Sequence, residues 1–237
     1  MKRLIILAIL GVFFTMSTSA LAADTKTAAQ KPLYELTATE AAALIKEGKI
    51  TSEALVTELL ARIKANKDLN AFINIDEKAV LEAAKAADAD VKAGKTLGKL
   101  HGVPFAIKDN IDVQGLPTTA GTPALENHYP NDDAAIVAVL KKEGAIILGK
   151  ANLHELAFGI TGTNTHYGNV TTPYSKNHLA GGSSSGTGAA VAGRLATVGI
   201  GTDTGGSIRI PASVNGVYGY RPSVGRYSVD GVVPMSV

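Results

Sequence analysis

Two segments rich in serine and glycine, together with one lysine, are the residues of this chain whose types could do covalent chemistry. Residues 181–188 are Gly-Gly-Ser-Ser-Ser-Gly-Thr-Gly, and residues 201–211 contain Thr-Asp-Thr-Gly-Gly-Ser-Ile-Arg. Upstream, the apolar stretch 102–107 leads directly into Lys108. A serine hydroxyl becomes a good nucleophile only when a neighbouring group removes its proton, and serine–lysine pairs do this in some hydrolases. The three segments therefore supply the residue types of a serine hydrolase.

Together these segments resemble the amidase-signature family of hydrolases, and the resemblance extends from near Leu36 to the end of the sequence. It implies a Ser-Ser-Lys triad in which Ser207 is the nucleophile, Ser183 is a proton bridge preceded by a cis peptide bond, and Lys108 is the base. It also implies hydrolysis of a small-molecule carboxylic amide to an acid and ammonia through an acyl-serine intermediate, with no metal ion or cofactor.

The physical chemistry of the three side chains fits these implied roles. A lysine amine has an ordinary pKa of about 10.4, so it accepts a proton near neutral pH only where burial disfavours its charged form. Lys108 follows the apolar run 103–107, which predicts a buried strand and hence a desolvated amine. A hydroxyl both donates and accepts hydrogen bonds, so Ser183 can pass a proton from Ser207 to Lys108.

Backbone amides next to Ser207 are candidates for stabilising the negative oxygen of a tetrahedral intermediate. Successive N–H groups are available on Thr204, Gly205, Gly206 and Ser207. Glycine lets the backbone approach a substrate closely, and preorganised amides are effective oxyanion donors. We therefore predict that Thr204, Gly205 and Gly206 form an oxyanion and substrate-binding site beside the nucleophile.

Polar residues around the two serine segments are predicted to support the site without reacting. Asp203 and Arg209 flank Ser207, as the same pair does in the family. We expect them to form an ion pair that fixes the loop and takes no part in proton transfer. Thr202 and Ser184 are expected to make structural hydrogen bonds.

Two further stretches resemble one branch of the family. Residues 154–162 and 219–227 look like the indoleacetamide hydrolase and mandelamide hydrolase branch. This resemblance implies primary amides of arylacetic-type acids as substrates. Ser185 stands where the family pattern usually has glycine, so it adds a side chain beside the bridging serine.

Two other kinds of site share parts of this pattern. Gly182-x-Ser184-x-Gly186 fits the nucleophile elbow of α/β-hydrolases, but that fold requires an acid and a histidine after the serine. The glycine-rich runs resemble phosphate-binding turns, but they lack the Gly-Lys-Ser/Thr ending of a P-loop. All five histidines precede Ser184, no H-E-x-x-H motif is present, and we expect ordinary surface or loop residues at these positions: His101, His128, His154, His166 and His178.

Two alternatives lie within the family itself. Amidase-signature chains also serve as the glutaminase subunit of the tRNA-dependent amidotransferase, a cytoplasmic complex that a predicted export signal contradicts. Family members are also typically longer than 237 residues, and they usually continue with further strands and helices beyond the position of Val237. We therefore expect a core that is incomplete at its C-terminus, with exposed edges and apolar surface, and a catalytically inactive amidase fragment is the alternative to an active enzyme.

The N-terminus has the pattern of a secretory signal peptide. Two basic residues precede the apolar run 4–14, and residues 20–22 fit a small-x-small cleavage site. We therefore predict a signal peptide at residues 1–22 and an amidase-signature domain at residues 23–237. The protein is expected to be periplasmic or secreted in a bacterium, with no membrane association after cleavage.

Composition predicts a globular protein with one substantial core. Apolar residues make up 46% and charged residues 19% of the chain, which is typical of folded domains and not of disordered chains. The absence of cysteine excludes disulfides, thiolate metal sites and a cysteine nucleophile. The net charge is only +2, so no nucleic-acid surface is expected. A homodimer is compatible with the sequence, although no residue indicates it.

Hydrophobic periodicity predicts the elements that must position these residues. Strands that alternate with helices indicate an α/β fold, in this case an amidase-signature core with a mixed β-sheet covered by helices on both faces. The predicted strands span residues 71–75, 103–107, 145–148 and 197–201. The predicted helices span residues 37–47, 51–63, 77–91, 133–143, 151–158 and from the end of the serine run to 194, and a loop is predicted over 159–182.

Overall fold

The computed structural model of the protein describes residues 31–235, so the predicted signal peptide lies outside the described residues. The α-helices of this part are α1 (Ala38–Lys46), α2 (Ser52–Ala65), α3 (Glu77–Lys92), α4 (Ala135–Lys142), α5 (Ser185–Ala192) and α6 (Arg209–Val214). The strands are β1 (Phe72–Asn74), β2 (Pro104–Lys108), β3 (Ile146–Ala151), β4 (Thr171–Thr172), β5 (Ser175–Leu179) and β6 (Val198–Ile200). Within these residues no helix combines the length and the apolar character that a membrane span requires.

Local sequence signals set the start of the first two helices. The hydroxyl of Thr37 accepts from the amide of Glu40 (3.2 Å), and the Glu40 carboxylate accepts from the amide of Thr37 (2.7 Å). This is the capping box that their spacing predicts. Thr51 caps α2 by accepting from the amide of Ala54 (3.1 Å). Both caps satisfy amides that have no partner inside the helix, so these two helix starts follow from the sequence.

Helix α2 packs its apolar face into the core and contacts α3. Leu55, Val56 and Leu59 are fully buried, at the helical spacing that predicts one apolar face. The amide of Ser52, at the start of α2, donates to the carboxylate of Asp88 on α3 (2.7 Å). A carboxylate is favoured at a helix N-terminus, so this contact also fixes α2 against α3.

Strand β2 lies inside a four-stranded mixed sheet with the order β1-β3-β2-β6. It is parallel to both β3 and β6, whereas β1 is antiparallel to β3. Every residue of β2 is buried, as expected for a parallel strand covered on both faces. In the register, Ile107 lies opposite Lys150 and Lys108 lies opposite Ala151. Two lysines therefore lie at the carboxyl ends of adjacent parallel strands.

Helix α5 lies directly against β2, β3 and β6 because glycines occupy the points of closest approach. A Cβ atom on Gly186 would overlap the carbonyl oxygen of Ala71. A Cβ atom on Gly199 of β6 would overlap Cγ2 of Thr187 on α5. Only glycine fits at these two positions, which brings the serine run at the start of α5 close to the sheet. Because α3 and α4 also contact β3, the α/β class predicted from the sequence is confirmed.

The prediction of a helix over residues 151–158 is wrong. Strand β3 continues into this segment, and only a single turn of 3₁₀-helix follows, at Glu155–Ala157. The amide of His154 donates to the carbonyl of Ser183 (3.1 Å), which is distant in the sequence. A tertiary hydrogen bond thus replaces the i→i−4 bond that a helix requires.

The predicted loop over residues 159–182 contains an antiparallel hairpin formed by β4 and β5. Its residues are mostly polar and partly exposed, so no apolar alternation marks them as strands. Helix α6 was likewise not predicted, because it is short and contains Pro211. Helix α6 also lies close to the first serine segment, since a Cβ atom on Gly181 would lie 3.3 Å from Cα of Pro211.

The last part of the described chain has a packed portion and an exposed portion. Ile111 and Val232 form an isolated antiparallel bridge, and the amide of Val233 donates to the carbonyl of Asn110 (2.8 Å). Between α6 and this bridge lie large apolar side chains that are exposed to solvent: Tyr218, Tyr220, Val224, Tyr227 and Val229. We refer to residues 217–229 as the exposed segment.

Candidate active site

Lys108 is the last residue of β2, and its side chain is completely buried. Its Nζ donates to Ser183 Oγ and to Thr202 Oγ1, each at 2.7 Å. Burial lowers the pKa of Lys108 to about 7, and the negative charge of Asp203 opposes this shift only in part. Near neutral pH a substantial fraction of the amine is therefore unprotonated and able to accept a proton.

Ser183 lies just before α5, and its side chain is also completely buried. The peptide bond between Gly182 and Ser183 is cis, as the family resemblance implies. The Ser183 hydroxyl accepts from Lys108, and its carbonyl accepts from the amide of His154 (3.1 Å). The fold thus brings Lys108 and Ser183, which are 75 residues apart in the sequence, into direct contact.

Ser207 lies beside the first serine segment and retains a small accessible surface. The amide of Ser184 donates to the carbonyl of Ser207 (3.1 Å), which joins the two serine segments directly. Within residues 31–235 the Ser207 hydroxyl makes no hydrogen bond. The hydrogen bond between Ser207 and Ser183 that a proton relay requires is therefore not formed in this structure. Catalytic hydrogen bonds commonly tighten only when substrate binds.

Asp203 organises the loop that precedes the second serine. Arg209 donates to its carboxylate from Nε and from Nη2, each at 3.0 Å, so the predicted ion pair is present. The amides of Gly206 and Ile208 donate to the same carboxylate at 2.8 and 3.1 Å. Burial by itself raises the pKa of Asp203, but the guanidinium of Arg209 and the backbone amides outweigh it and hold this pKa well below its usual range. Asp203 is therefore ionised at neutral pH.

The amide of Gly206 is predicted to be an oxyanion donor, but in the structure it already donates a hydrogen bond to Asp203. It donates to Asp203 at a residue whose φ of 126° curves the backbone around the carboxylate. In the described part of the chain, the amides of Thr204, Gly205 and Ser207 make no hydrogen bond. These three amides are therefore the candidate oxyanion donors in this conformation.

Thr202 and Ser184 make the kind of structural hydrogen bonds that were expected of them. The hydroxyl of Thr202 accepts from Lys108 and also from Nδ2 of Asn110 (3.2 Å). The hydroxyl of Ser184 donates to the carbonyl of Thr202 (3.3 Å). Thr202 therefore gives the amine of Lys108 a second fixed partner beside Ser183, and sequence reasoning missed the support that Asn110 gives to Thr202.

A buried ion pair next to the site was also missed. Nζ of Lys150 lies 2.9 Å from Oδ1 of Asp109, and both side chains are fully buried. Lys150 follows an apolar run at the end of β3 in the same way that Lys108 follows one at the end of β2. This repeated pattern of an apolar strand followed by lysine was the available signal.

The histidines do not assemble a competing centre in the described residues. Within residues 31–235 no cluster of three or more His, Asp or Glu side chains could hold a metal ion. The ring of His154 faces the hydroxyl of Thr161 (3.3 Å), and Ser184 donates to a backbone carbonyl and not to a histidine. His101, expected at the surface or in a loop, is buried against the carbonyl of Ala87 (2.9 Å). The geometry favours a lysine base over a histidine base.

Comparison with known proteins places these features in a family. The family model described as Amidase matches residues 54–237. Mandelamide hydrolase of Pseudomonas putida is 49% identical over 209 residues, covering 86% of this chain and 41% of the relative. A glutamyl-tRNA(Gln) amidotransferase subunit of Desulforapulum autotrophicum is 46% identical over 202 residues, covering 85% of this chain and 41% of the relative. The native peptide amidase of Stenotrophomonas maltophilia superposes with a TM-score of 0.82 at 40% identity, covering 86% of this chain and 44% of that chain.

The share of each relative that is covered is as informative as the identity. The chain spans 41% of the length of both curated relatives, although most of its own length is matched. The matched residues include the lysine strand and both serine segments. The mixed sheet with packed helices is likewise found in the solved amidase structures. The chain therefore belongs to the amidase family, as its lysine and serine segments predict.

Proposed function

We propose that this protein carries the catalytic centre of an amidase that hydrolyses a carboxylic amide to an acid and ammonia through an acyl-serine intermediate. In this proposal Ser207 is the nucleophile, Ser183 relays a proton, and Lys108 is the base. The observation that carries the proposal is the buried amine of Lys108, whose pKa is lowered to about 7 and whose Nζ lies 2.7 Å from the Ser183 hydroxyl.

The proton path of the first step runs from Ser207 through Ser183 to Lys108. Neutral Lys108 takes the hydroxyl proton of Ser183, and Ser183 takes the proton of Ser207 as Ser207 Oγ attacks the amide carbonyl. The carbonyl oxygen becomes negatively charged, and the unengaged amides of Thr204 and Gly205 are available to donate to it. Protonated Lys108 returns the proton through Ser183 to the leaving nitrogen, which departs as ammonia.

The acyl-serine is hydrolysed along the same path. A water molecule gives a proton to the Ser183–Lys108 pair while its oxygen attacks the acyl carbon. Ser207 regains the proton when the carboxylic acid leaves. Because the base must be unprotonated at the start of both steps, the rate rises with pH through the pKa of Lys108 and levels off above it.

The proposed substrates are primary amides of arylacetic-type acids. The 49% identity to mandelamide hydrolase over 209 residues supports this class. The loop of residues 154–162 packs on the serine segment, since a Cβ atom on Gly182 would lie 2.8 Å from the amide nitrogen of Gly162. The same loop carries the exposed apolar side chains of Phe158 and Ile160, which suit contact with an aryl group. A comparison of phenylacetamide with acetamide as substrates tests this class.

A glutaminase-type component of an amidotransferase is a second candidate function. The 46% identity to a glutamyl-tRNA(Gln) amidotransferase component over 202 residues favours it. Hydrolysis of glutamine in preference to phenylacetamide is the result that would select it.

The proposed function is tested by labelling the protein with a fluorophosphonate probe, which reacts with activated serines. We expect one labelled residue, Ser207, with no labelling in Ser207→Ala and a sharp loss in Lys108→Ala. A folded chain that is not labelled would make the catalytically inactive fragment the better description.

We also propose export to the periplasm or to the medium, by cleavage of a signal peptide after residue 22. Support comes from the basic start and the apolar run 4–14. Edman sequencing of the protein recovered from a periplasmic fraction should begin at residue 23. Size-exclusion chromatography with light scattering of the same sample determines whether a homodimer forms.

A further inference from the structure

We propose that the buried ion pair of Lys150 and Asp109 is a positioning pair that holds the base Lys108 and the bridging Ser183 in place relative to one another. The inference rests on the proposed function, because it assigns a role to residues that lie behind the triad. Within residues 31–235 neither residue of the pair makes a hydrogen bond with a triad side chain, so we expect each to act through the backbone around it.

Lys150 is surrounded by oxygen atoms that suit a cation. Its Nζ lies 2.9 Å from Oδ1 of Asp109, 2.9 Å from the hydroxyl of Thr118 and 3.1 Å from the carbonyl of Pro117. An ammonium group has three protons. Here Thr118 and Pro117 accept two of them, and the Asp109 carboxylate faces the amine as an ion pair without hydrogen-bond geometry at Oδ1. Buried ion pairs are tolerated only where such additional hydrogen bonds compensate the lost hydration, so the arrangement fits a charged Lys150.

Asp109 is fixed through both its side chain and its backbone. Its Oδ2 accepts from the amide of Thr119 (3.1 Å) and from the Thr119 hydroxyl. Its own amide donates to the carbonyl of Ala151 on β3 (3.0 Å), and its carbonyl accepts from the amide of Ala120 (3.0 Å). Because Asp109 directly follows Lys108, these contacts fix the chain at the base.

The same contacts extend to the bridging serine by a second route. The carbonyl of Ala120 accepts from the amide of Leu156 (2.7 Å). Leu156 lies in the same turn as His154, whose amide donates to the carbonyl of Ser183 (3.1 Å). The ion pair therefore supports both partners of the hydrogen bond between the base and the bridging serine.

The two buried lysines differ in the groups that face them, and this difference separates their roles. Lys150 faces the carboxylate of Asp109, whereas Lys108 faces the hydroxyls of Ser183 and Thr202. Burial lowers the pKa of both amines, and a carboxylate opposes each shift in part, Asp109 at Lys150 and Asp203 at Lys108. Burial also raises the pKa of Asp109. Lys150 therefore has a carboxylate as its direct partner, which suits a structural ion pair, whereas the partners of Lys108 are hydroxyls, through which a proton can pass.

The test compares variants of the full chain that break the pair in different ways. Asp109→Asn and Lys150→Met each leave one buried partner unpaired, whereas the double variant removes both charges together. We expect the double variant to fold, by circular dichroism and cooperative unfolding, but to label at Ser207 about tenfold to a hundredfold more slowly than the wild type. Lys64→Met combined with Glu77→Gln removes an exposed pair and should label at the wild-type rate.

A second measurement reports on the base without requiring activity. The titration of Lys108 is followed by NMR of ¹³C-labelled lysine in the wild type and in the double variant. We expect the Lys108 midpoint to rise from about 7 toward its ordinary value in the variant, because a loosened base admits water. If the double variant does not fold, Thr119→Val removes one hydrogen bond to Asp109 and is expected to shift the midpoint in the same direction.

The outcomes separate this inference from the proposed function. Wild-type labelling and an unchanged Lys108 midpoint in the double variant would overturn the positioning role and leave the proposed function standing. Absence of labelling in the wild type would instead overturn the proposed function. The Lys108 midpoint in the variants then decides the positioning role alone.

Discussion

The carboxyl end of the central sheet and the exposed segment of residues 217–229 use apolar and charged residues in opposite ways. At the sheet end two lysines are completely buried among apolar strands, where each needs a specific compensation. In the exposed segment large apolar side chains such as Tyr218 and Val224 are left in solvent. The first region is therefore held by many contacts among the described residues. The second makes few, such as the hydrogen bond from Arg221 to the carbonyl of Asp203 (3.1 Å), and its large apolar side chains stay in solvent.

The contrast between the sheet end and the exposed segment separates the residues of the proposed reaction from those of association. The hydrogen bonds of Lys108 to Ser183 and Thr202 lie within the described chain, and they support the proposed role of Lys108 as the base. The exposed segment carries several large apolar side chains in solvent, and exposed apolar patches are typical of surfaces that associate. The proposed reaction thus depends on the first region, and we expect self-association to depend more on the second.

The largest expected effect comes from removing the base. Lys108→Met should slow labelling of Ser207 by a factor of about a hundred to ten thousand, the range found for a general base. In the wild type the labelling rate should rise with pH through about 7, the pKa of Lys108, and this dependence should vanish in the variant. Lys85→Met, at an exposed lysine, is the matched control. A wild-type rate that does not change with pH near neutrality would contradict a lysine base.

A second prediction concerns stability at the same residue. Between the lowered pKa of Lys108 in the folded protein, about 7, and its ordinary value in the unfolded chain, the unfolded state binds one more proton. The free energy of unfolding of the wild type should therefore rise with pH across this window by about 1.4 kcal/mol per pH unit relative to Lys108→Met. The free-energy cost of burying protonated Lys108 is complete below a pH of about 7 and absent above the ordinary pKa of lysine. Urea unfolding of both proteins at several pH values measures this slope. If the free energies of unfolding of the two proteins change in parallel with pH, the amine of Lys108 is hydrated in the folded protein.

Packing gives a third, smaller difference between the two regions. Gly186→Ala places a Cβ atom against the carbonyl oxygen of Ala71 with no room for it, so we expect a loss of about 3 kcal/mol in the free energy of unfolding. Gly225→Ala, in the exposed segment, meets no atom within 4 Å and suffers only from its positive φ of 78°, which costs about 1 kcal/mol. Chemical denaturation measures both losses. Equal losses would show that the two regions are packed alike.

The smallest effect on stability is expected at the exposed apolar side chains. Tyr218→Ser and Val224→Ser should change the free energy of unfolding by less than about 0.5 kcal/mol, because these side chains are already in solvent. Self-association, measured by light scattering, should decrease in the same variants. A loss of stability as large as that of Gly186→Ala would mean that these side chains pack against the chain.

Features with local causes were predictable from the sequence. The capping box of Thr37 and Glu40 involves residues three positions apart, so its outcome depends on little else. The buried strand ending at Lys108 was marked by its continuous apolar run. The family segments also predict that Ser183 is a neighbour of Lys108, and the two side chains are joined by a hydrogen bond of 2.7 Å.

Features decided by distant partners were not predictable in the same way. The direction of the Gly206 amide depends on the carboxylate of Asp203, which accepts a hydrogen bond from it. The pairing of Lys150 with Asp109 depends on the register between β2 and β3, which periodicity does not give. The segment after β3 has helix-forming residues, but its amides find acceptors elsewhere in the fold.

The position of β2 within the sheet has a consequence for the order of events during synthesis. Both strands that flank β2, namely β3 and β6, are translated after it. The hydroxyl partners of Lys108 lie 75 and 94 residues further along the chain. Contacts of such long range form late and slowly in folding. A chain in which residues up to 202 have not yet folded around β2 therefore carries an ordinary, hydrated and charged lysine. The amine becomes available as the proposed base only after they have done so.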